Sequence, residues 1–297
     1  MSTIAKPAAG APPPATTPED QQRAGSRLFA GRWRDWTTNI AVFIGVIAAW
    51  WAVTASGLIP PLFLPSPQAV VGAFIDANGC QPVQEGSERI VCGTQGYFLW
   101  EHLLASLQRI GLGVLGGIAV GVVIGFAMAL IPVLGRIFEP YLNFLRSLPP
   151  LGYIGLLIVW FGIGDTSKIW LLFLAAFPPI AMATIDGVRG IRTDRILAAQ
   201  AMGANSVDVL RHVVLPASLP SILSGIRIAT GFAWTTVVAA ELNNGIPGIG
   251  GLAYLSGTQL QTPLTIACII IIGLAAIALD ASIKRLGSLL VPWQGKA

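Results

Sequence analysis

The sequence predicts an all-α membrane protein with about six transmembrane helices. Hydrophobic residues make up 54% of the 297 residues and charged residues only 11%, and the mean hydropathy is +0.71. Such values are typical of membrane proteins and exclude an ordinary soluble domain. Several apolar runs also approach the roughly 20 residues that a helix needs to cross a bilayer. A single helical membrane domain is the simplest interpretation of this chain.

Six apolar runs define the predicted membrane spans. The third and fourth runs are short, and the proline pairs Pro149-Pro150 and Pro178-Pro179 are expected to start or kink helices there. Residues 1–37 are rich in Pro, Ala, Ser and Thr, which predicts a disordered N-terminal tail. Residues 286–297 are expected to form a C-terminal tail after a transmembrane domain of residues 38–285. The predicted spans are residues 38–56, 107–131, 150–164, 169–185, 219–242 and 264–279.

The basic residues predict the orientation of the chain, because Lys and Arg concentrate in cytoplasmic loops. With the N-terminus in the cytoplasm, 14 of the 18 Lys and Arg fall on the cytoplasmic side. Only Arg89 and Lys168 fall outside, and Arg109 and Arg227 lie within spans. This asymmetry predicts a multi-pass protein of the bacterial inner membrane with both termini cytoplasmic. The net charge of +4 then reflects orientation and attraction to anionic lipid, so no nucleic-acid partner is expected.

The three cysteines divide by location. Cys80 and Cys92 fall in the long external loop between the first two spans, where an oxidising environment permits a disulfide. A disulfide between them and two free thiols are the alternatives. Cys268 lies in the last span, where a small apolar thiol packs as an ordinary core side chain.

Four glycines recur at every fourth position of the second span, which puts them on one face of a helix. Backbones approach each other closely at such a face. Tight packing against a neighbouring helix is one interpretation, and a glycine face that lines a transport path is the other. These glycines are Gly113, Gly117, Gly121 and Gly125.

Charged and polar side chains within spans are candidates for a transport pathway, because burying them in lipid is costly. Arg109, near the outer end of the second span, either extends to the membrane surface or contacts the pathway, and Glu241 ends the fifth span and is expected to face external water. Arg227 lies deeper, where it contacts an anion, a gate residue or the pathway, or else forms a structural ion pair or lies at the membrane interface. Three further residues of the fifth span either line the transport pathway or take part in helix packing: Trp234, Thr235 and Thr236.

The sequence lacks the patterns of an enzyme. The stretch GIGDTSK has neither the spacing nor the Gly-Lys pair of a phosphate-binding loop, so no ATPase site is expected in this chain. His102 and His212 have no Cys, Ser or carboxylate at the spacing of metal ligands or of a catalytic triad. We therefore predict no catalytic residue, no metal site and no cofactor in this chain.

Residues 196–216, ILAAQAMGANSVDVLRHVVLP, interrupt the apolar runs within the largest internal cytoplasmic loop, residues 187–218. The Ala-rich start favours a helix that Gly203 ends or bends. Asn205 is placed to cap a second helix, which Pro216 is expected to limit. Two short helices around a glycine would expose a surface of small residues, and such a surface suits docking into a groove of a soluble partner.

This stretch resembles the signature of the permease subunits of bacterial ABC importers: Glu-Ala-Ala, three residues, Gly, nine residues, Ile, one residue, Leu-Pro. Gly203 and Leu215-Pro216 match, Val213 replaces the Ile conservatively, and Leu197 stands in place of the Glu. The resemblance implies a type I ABC importer permease fold with a coupling helix that fits a cleft of the ATP-hydrolysing subunit. We call residues 196–208 the coupling segment. The residues that the resemblance implicates in ATPase coupling are Leu197, Ala198, Ala199, Met202, Gly203, Ala204, Asn205 and Asp208.

Further stretches narrow the resemblance to the taurine, alkanesulfonate and nitrate permeases. FLPSPQAV, LWEHLLASLQRI and LPPLGYIGLLIVWFGIGDTSKI carry it, and WTTVVAAEL and VPWQG are most similar to the taurine members. The resemblance runs from residue 50 to residue 295 and implies a permease that imports a small sulfonate, with taurine first. The implied partners are two ATPase subunits that hold ATP and Mg, an extracytoplasmic substrate-binding protein, a second copy of this chain and the lipid bilayer.

Other functions remain as alternatives at this point. The chain could import another small anion, such as an alkanesulfonate, nitrate or bicarbonate. A secondary transporter would need ion-coupling carboxylates or broken-helix repeats near the midplane of the membrane. A non-transporting membrane scaffold would have no use for a coupling segment.

Overall fold

The computed structural model describes residues 18–82 and 90–292, with side chains for residues 37–80 and 90–292. The first part of the predicted N-terminal tail, the external Arg89 and the end of the predicted C-terminal tail lie outside the described residues. Within them, the chain is helical apart from one two-stranded hairpin.

The chain divides into two units, residues 1–60 and 61–297. The first unit contains the helix α1, and the second contains the other elements. A short 3-10 helix, Pro150–Tyr153, precedes α5, and a π turn, Leu210–Val214, joins α8 to α9. The elements are α1 Pro18–Ala55, α2 Pro67–Asp76, β1 Cys80–Pro82, β2 Ile90–Cys92, α3 Leu99–Leu130, α4 Pro132–Ser147, α5 Ile154–Phe161, α6 Asp165–Arg189, α7 Thr193–Ala201, α8 Ser206–Val209, α9 Leu215–Ala240, α10 Ile249–Thr258 and α11 Thr262–Leu290.

Helix α1 begins earlier than the sequence predicts. Its apolar part, Thr37–Ala55, agrees with the first predicted span and has no buried residue, as expected for a helix that contacts lipid. The prediction of a disordered tail up to residue 37 is wrong from Pro18 onward. Proline suits the first helical position, acidic residues follow it in the first turn, and the Gln, Arg, Ala and Leu after them are strong helix formers. Helix propensity outweighs the low apolar content of this stretch.

Within the described residues, five helices are long and apolar enough to cross a membrane. One is the apolar part of α1, and the other four correspond to the predicted second, fourth, fifth and sixth spans. The last helix continues to Leu290, so the first residues of the predicted C-terminal tail are helical. No proline interrupts this helix before Pro292, and its sequence therefore gives no stop signal near residue 286.

The third predicted span differs from the structure. Pro132–Ser147 and Pro150–Phe161 form a pair of helices bent by 95°, in place of a single straight helix over residues 150–164. Pro149 adopts φ −60° and ψ 124°, because a proline at position 150 excludes the helical region for the residue before it. By length and composition, this bent pair is either a broken sixth span or a re-entrant loop.

The core of the second unit lies where α3, α6 and α9 pack together. Val114 from α3, Leu172 from α6 and Ala233 from α9 belong to one buried apolar cluster. Helix α6 is the central member, since it packs along both of the other helices. Helix α6 continues past Pro178 and Pro179, where the sequence predicted that a helix starts or kinks.

The four glycines of α3 face α6. A Cβ at Gly113 would lie 2.5 Å from the Leu172 Cβ, and a Cβ at Gly125 would lie 2.6 Å from the Thr184 Cβ. Real Cβ atoms do not approach each other so closely, so the backbone of α3 reaches α6 only because side chains are absent there. The structure therefore confirms helix packing as the role of this glycine face.

The hairpin brings Cys80 and Cys92 together. Strands β1 and β2 are antiparallel, with Cys80 directly opposite Cys92, and a disulfide joins the two residues. Cys268 is a buried free thiol in α11, as predicted. The disulfide lies in the connection between α2 and α3.

Gly113→Leu is expected to lower the stability of the chain, because its side chain would overlap Leu172. Overpacking of a core costs about 1–3 kcal/mol, so the thermal unfolding midpoint of the purified chain in detergent should fall by several degrees. Gly111→Leu is the matched control on the same helix, since nothing lies within 4 Å of a Cβ built at Gly111. Equal midpoints for the two variants would contradict the close packing of α3 on α6.

Candidate functional site

The coupling segment forms two short helices around a glycine turn. Helix α7 ends at Ala201, and Gly203 then adopts φ +90°, a left-handed conformation that glycine takes without steric cost. The Asn205 Oδ1 accepts hydrogen bonds from the backbone N–H groups of Val207 and Asp208, each at 2.9 Å. The Asp208 carboxylate accepts the Asn205 N–H at 3.3 Å, which completes a capping box. These caps fix the turn without help from any partner.

Three large apolar side chains of this segment are more than half exposed. The exposed fractions are 58% for Leu197, 83% for Met202 and 69% for Val207. We call these three residues the coupling patch. An exposed apolar patch on an ordered surface is typical of a protein interaction site. Among the other residues predicted for ATPase coupling, Ala198 is exposed, Ala199 is buried and Ala204 is half-buried.

Pro216 does not limit the helix that follows the glycine turn, contrary to the prediction. Residues Ser206–Ala240 form one continuous helical run. A π turn at Leu210–Val214 lies directly before the proline, and in it the Leu215 N–H donates to the Leu210 carbonyl. Such a wider turn changes the register of the hydrogen bonds next to the proline, which lets the helix pass it. The coupling segment is thus continuous with a membrane span.

A buried ion pair lies at the other end of α6. The Arg109 Nη1 is 2.5 Å from the Glu241 Oε1, and the exposed fractions of the two residues are 3% and 1%. The Ser106 hydroxyl donates to the same carboxylate at 2.7 Å, and the Gly250 N–H donates to its Oε2 at 2.9 Å. The burial excludes one alternative for each residue: Arg109 does not extend to the membrane surface, and Glu241 does not face water. Each charge is buried because the other compensates it.

The loop between α9 and α10 closes over this pair. The Arg109 Nη2 donates to the Pro247 carbonyl at 2.7 Å, and the Ile249 N–H donates to the Ser106 hydroxyl at 3.0 Å. A Cβ at Gly248 would lie 2.7 Å from the Arg109 Nη1, so only glycine allows the loop to approach so closely. The side chains of α3 thereby hold the start of α10.

His102 extends the network on the same helix. Its Nδ1 accepts the Gly248 N–H at 3.0 Å, which assigns the ring proton to Nε2 in a neutral imidazole. That Nε2 lies 3.1 Å from the Thr94 carbonyl and donates to it. His102 is fully buried and acts here as a structural connector. Across residues 18–82 and 90–292, no three or more His, Cys, Asp and Glu side chains are grouped to hold a metal ion.

Two residues at the start of α6 complete the network. The Arg109 Nε donates to the Asp165 Oδ1 at 2.8 Å. The Lys168 Nζ donates to the Asn244 carbonyl at 2.6 Å and lies 3.8 Å from the same Asp165 oxygen. Sequence reasoning missed His102, Ser106 and Lys168 as members of this site. The spacing of His102, Ser106 and Arg109, at i, i+4 and i+7 in an apolar span, is the signal that indicates one polar helix face.

The other pathway candidates do not form one site. Arg227 makes an ion pair with Asp280 of α11, with an Nη2–Oδ2 distance of 2.8 Å, and both side chains are about half exposed. A structural ion pair was one of the alternatives that the sequence left open for Arg227. Trp234 is buried in the core of α3, α6 and α9, and its indole N–H has no partner among the described residues. Thr236 is buried, whereas Thr235 is exposed and donates to the Phe232 carbonyl at 2.9 Å.

A helical membrane bundle with a capped helix–glycine–helix segment at one end is the architecture of an importer permease subunit. Residues 117–295 match the family of binding-protein-dependent transport system inner membrane components. The taurine transport system permease protein TauC of Escherichia coli (strain K12) is 38% identical over 93% of this chain and 97% of its own length. The putative aliphatic sulfonates transport permease protein SsuC of the same strain is 31% identical over 88% of this chain and 94% of its own. The chain belongs to this family of ABC importer permeases.

The fold agrees with that of a solved transporter. The MetNI methionine ABC transporter, in an inward-facing conformation, contains a chain that superimposes with a TM-score of 0.56 at 22% identity. The match covers 65% of this chain and 95% of that one. The fold is therefore that of a type I importer permease. Permease subunits of this family are non-catalytic, and a separate subunit hydrolyses ATP.

Glu241→Leu is expected to destabilise the chain by about 3–5 kcal/mol, because it leaves Arg109 charged and buried without its main partner. Thermal unfolding of the purified chain in detergent measures the loss. Arg109→Met combined with Glu241→Leu should recover part of it, since no isolated buried charge then remains.

Asp194→Leu serves as the control for this experiment, because it removes an ion pair with Arg192 whose side chains are 75% and 58% exposed. Exposed pairs contribute about 0–1 kcal/mol. If Glu241→Leu were no more harmful than Asp194→Leu, the buried network would not be stabilising this end of the bundle.

Proposed function

We propose that two copies of this chain form the transmembrane pathway of an ATP-driven importer for a small sulfonate, with taurine as the first candidate. The exposed coupling patch on an ordered helix–glycine–helix turn carries this proposal. Two ATPase subunits, which hold ATP and Mg, dock on the two coupling segments at the cytoplasmic face. A substrate-binding protein delivers the sulfonate from outside. Both termini of the chain are cytoplasmic in this arrangement.

The coupling patch supports ATPase docking by its chemistry. Leu197, Met202 and Val207 are all more than half exposed, and burying a large apolar side chain stabilises an interface by about 1.5–3 kcal/mol. Leu197 replaces the Glu of the family signature, so this interface gains apolar contact in place of a charged group. The capping box of Asn205 and Asp208 orders the patch before any partner binds, which lowers the entropic cost of association.

Two observations support a second copy of the chain. Each chain carries one coupling segment, whereas the proposed complex contains two ATPase subunits. Helix α9 also leaves a face with Ile228 and Phe232 uncovered, at exposed fractions of 55% and 56%. Thr235 lies one turn further along this face and is exposed as well. A pathway between two such faces is lined by apolar surface and hydroxyl groups.

The proposed substrate is inferred from the substrates in the names of the relatives. TauC is named as a taurine permease and shares 38% identity over nearly the full length of both chains, and SsuC, named for aliphatic sulfonates, shares 31%. Both names refer to organic sulfonates, so this class is the best supported substrate. Nitrate, bicarbonate and simple alkanesulfonates are the alternative anions that an uptake assay separates.

The buried network weakens the alternative of a secondary transporter. Glu241 is a buried carboxylate, which the sequence did not predict, and an ion-coupled carrier would use such a group. Its oxygens, however, are already bonded to Arg109, Ser106 and Gly250. A carboxylate held by three donors suits a structural role better than repeated protonation.

Met202→Glu is expected to abolish association with the ATPase, because it places a charge at the most exposed apolar position of the patch. Affinity purification of the tagged full-length chain from its native membrane measures which proteins associate with it. Gln200→Glu is the matched control: it adds the same charge to an exposed position of the same helix outside the patch. Recovery of an ATPase with wild type and Gln200→Glu, and its loss from Met202→Glu, is the expected result. Equal recovery from all three would count against docking at the patch.

Deletion of this chain from native cells is expected to remove ATP-dependent uptake of radiolabelled taurine, and complementation should restore it. An excess of unlabelled ethanesulfonate, nitrate or bicarbonate tests which anions share the pathway. If the chain supported no taurine uptake and only nitrate interacted with the pathway, the substrate would be an inorganic anion and not a sulfonate. Uptake that persists after the ATPase is removed would favour a secondary transporter.

A further inference from the structure

A cavity of about 580 Å³ lies between α4, α6 and α9, at the end of the bundle next to the coupling segment. Asp186 contributes from the last turn of α6, and Arg146 contributes from the last turn of α4. Ser221 and Ser224 line the cavity from the second and third turns of α9. Ligand pockets of proteins have volumes of roughly 300–1,000 Å³, so this cavity has room for a small molecule.

The two charged residues of this cavity have opposite signs, and neither is neutralised within the protein. In residues 18–82 and 90–292, neither Arg146 nor Asp186 takes part in an ion pair. The neighbouring Arg189, by contrast, pairs with Glu139, with Nη1 2.5 Å from Oε1. Both side chains are exposed at the cavity, so their charged groups are accessible to a ligand.

The remainder of the wall is divided between hydroxyl groups and apolar side chains. Ser221 and Ser224 lie three residues apart on α9, so both hydroxyls are on one face of that helix. Met182 from α6 and Phe232 from α9 provide apolar surface. The cavity therefore combines one cation, one anion, two hydroxyl groups and an apolar wall.

We propose that this cavity binds a zwitterionic aminoalkanesulfonate on its way through the permease. The Arg146 guanidinium and the serine hydroxyls donate to the sulfonate oxygens, and the Asp186 carboxylate accepts hydrogen bonds from the ammonium group. The short alkyl chain lies against Met182 and Phe232. This proposal rests on the proposed function as a sulfonate importer and adds a binding site with the residues that recognise each charged group of the substrate.

The carboxylate is the source of selectivity in this proposal. A simple alkanesulfonate or nitrate offers no positive group to Asp186 and is repelled by it. Taurine, with its ammonium group, satisfies both charges of the cavity. Asp186 is thus the residue that distinguishes amino-sulfonates from other small anions.

Equilibrium dialysis tests the proposal on the purified full-length chain in lipid nanodiscs, with radiolabelled taurine and radiolabelled ethanesulfonate as the two probes. Wild type is expected to bind taurine more tightly than ethanesulfonate. Asp186→Asn should weaken taurine binding about tenfold and leave ethanesulfonate binding equal or stronger. Arg146→Gln should weaken the binding of both probes about tenfold. Arg136→Gln, on the same helix α4 but outside the cavity, should bind both probes as wild type does.

The outcomes separate this proposal from the proposed function. No taurine binding by wild type to millimolar concentration, or unchanged taurine binding by Asp186→Asn and Arg146→Gln, would overturn the cavity site even where cells import taurine. Taurine binding with the expected pattern, in a chain whose deletion leaves taurine uptake intact, would support the cavity site. The same result would contradict the proposed function as a taurine importer. Should either charge variant fail to fold, Ser224→Phe fills the cavity without changing its charge and must abolish taurine binding.

Discussion

Four glycines on α3 allow its backbone to lie against α6, and the rest of the bundle is arranged around that contact. Apolar helices in lipid gain little from leaving water, so close backbone packing must hold them together. Gly113 and Gly125 mark the two ends of the contact, opposite Leu172 and Thr184. Helix α9 then packs on the other side of α6 and completes the core. Because α6 begins at the buried polar network and ends before the coupling segment, its position sets the position of both.

The two ends of the bundle are stabilised by different means. At one end, the Arg109–Glu241 pair and its hydrogen bonds bind the loop of Gly248 to α3, so charge and hydrogen bonds hold the structure. At the other end, the capping box of Asn205 orders a surface that stays exposed. The polar groups of the first end are bonded mainly to internal partners, whereas the second end presents an exposed apolar patch and a charged cavity. The coupling patch is therefore ordered by local caps and not by a buried ion pair.

Local features of the sequence predicted much of this structure. Apolar runs predicted four of the long helices and the apolar part of α1, the glycine spacing predicted the face of α3, and Gly203 with Asn205 predicted the coupling turn. Contacts between distant residues were not predictable in this way. Arg109 and Glu241 are 132 residues apart, and nothing in their own neighbourhoods identifies the partner. The bend at Pro149 was also missed, because a proline pair signals an interruption and gives no angle.

The continuous helix Ser206–Ala240 has a mechanical consequence. Its 35 residues span about 50 Å, with Val207 of the coupling patch near one end and core residues along the remainder. The π turn Leu210–Val214 and Pro216 lie between Val207 and the core residues of this helix, and such features are the places where helices bend. A push at the patch would therefore be passed to the core residues and Arg227 through this turn. A partner docked at Val207 would thus act on the opposite end of the bundle through one element.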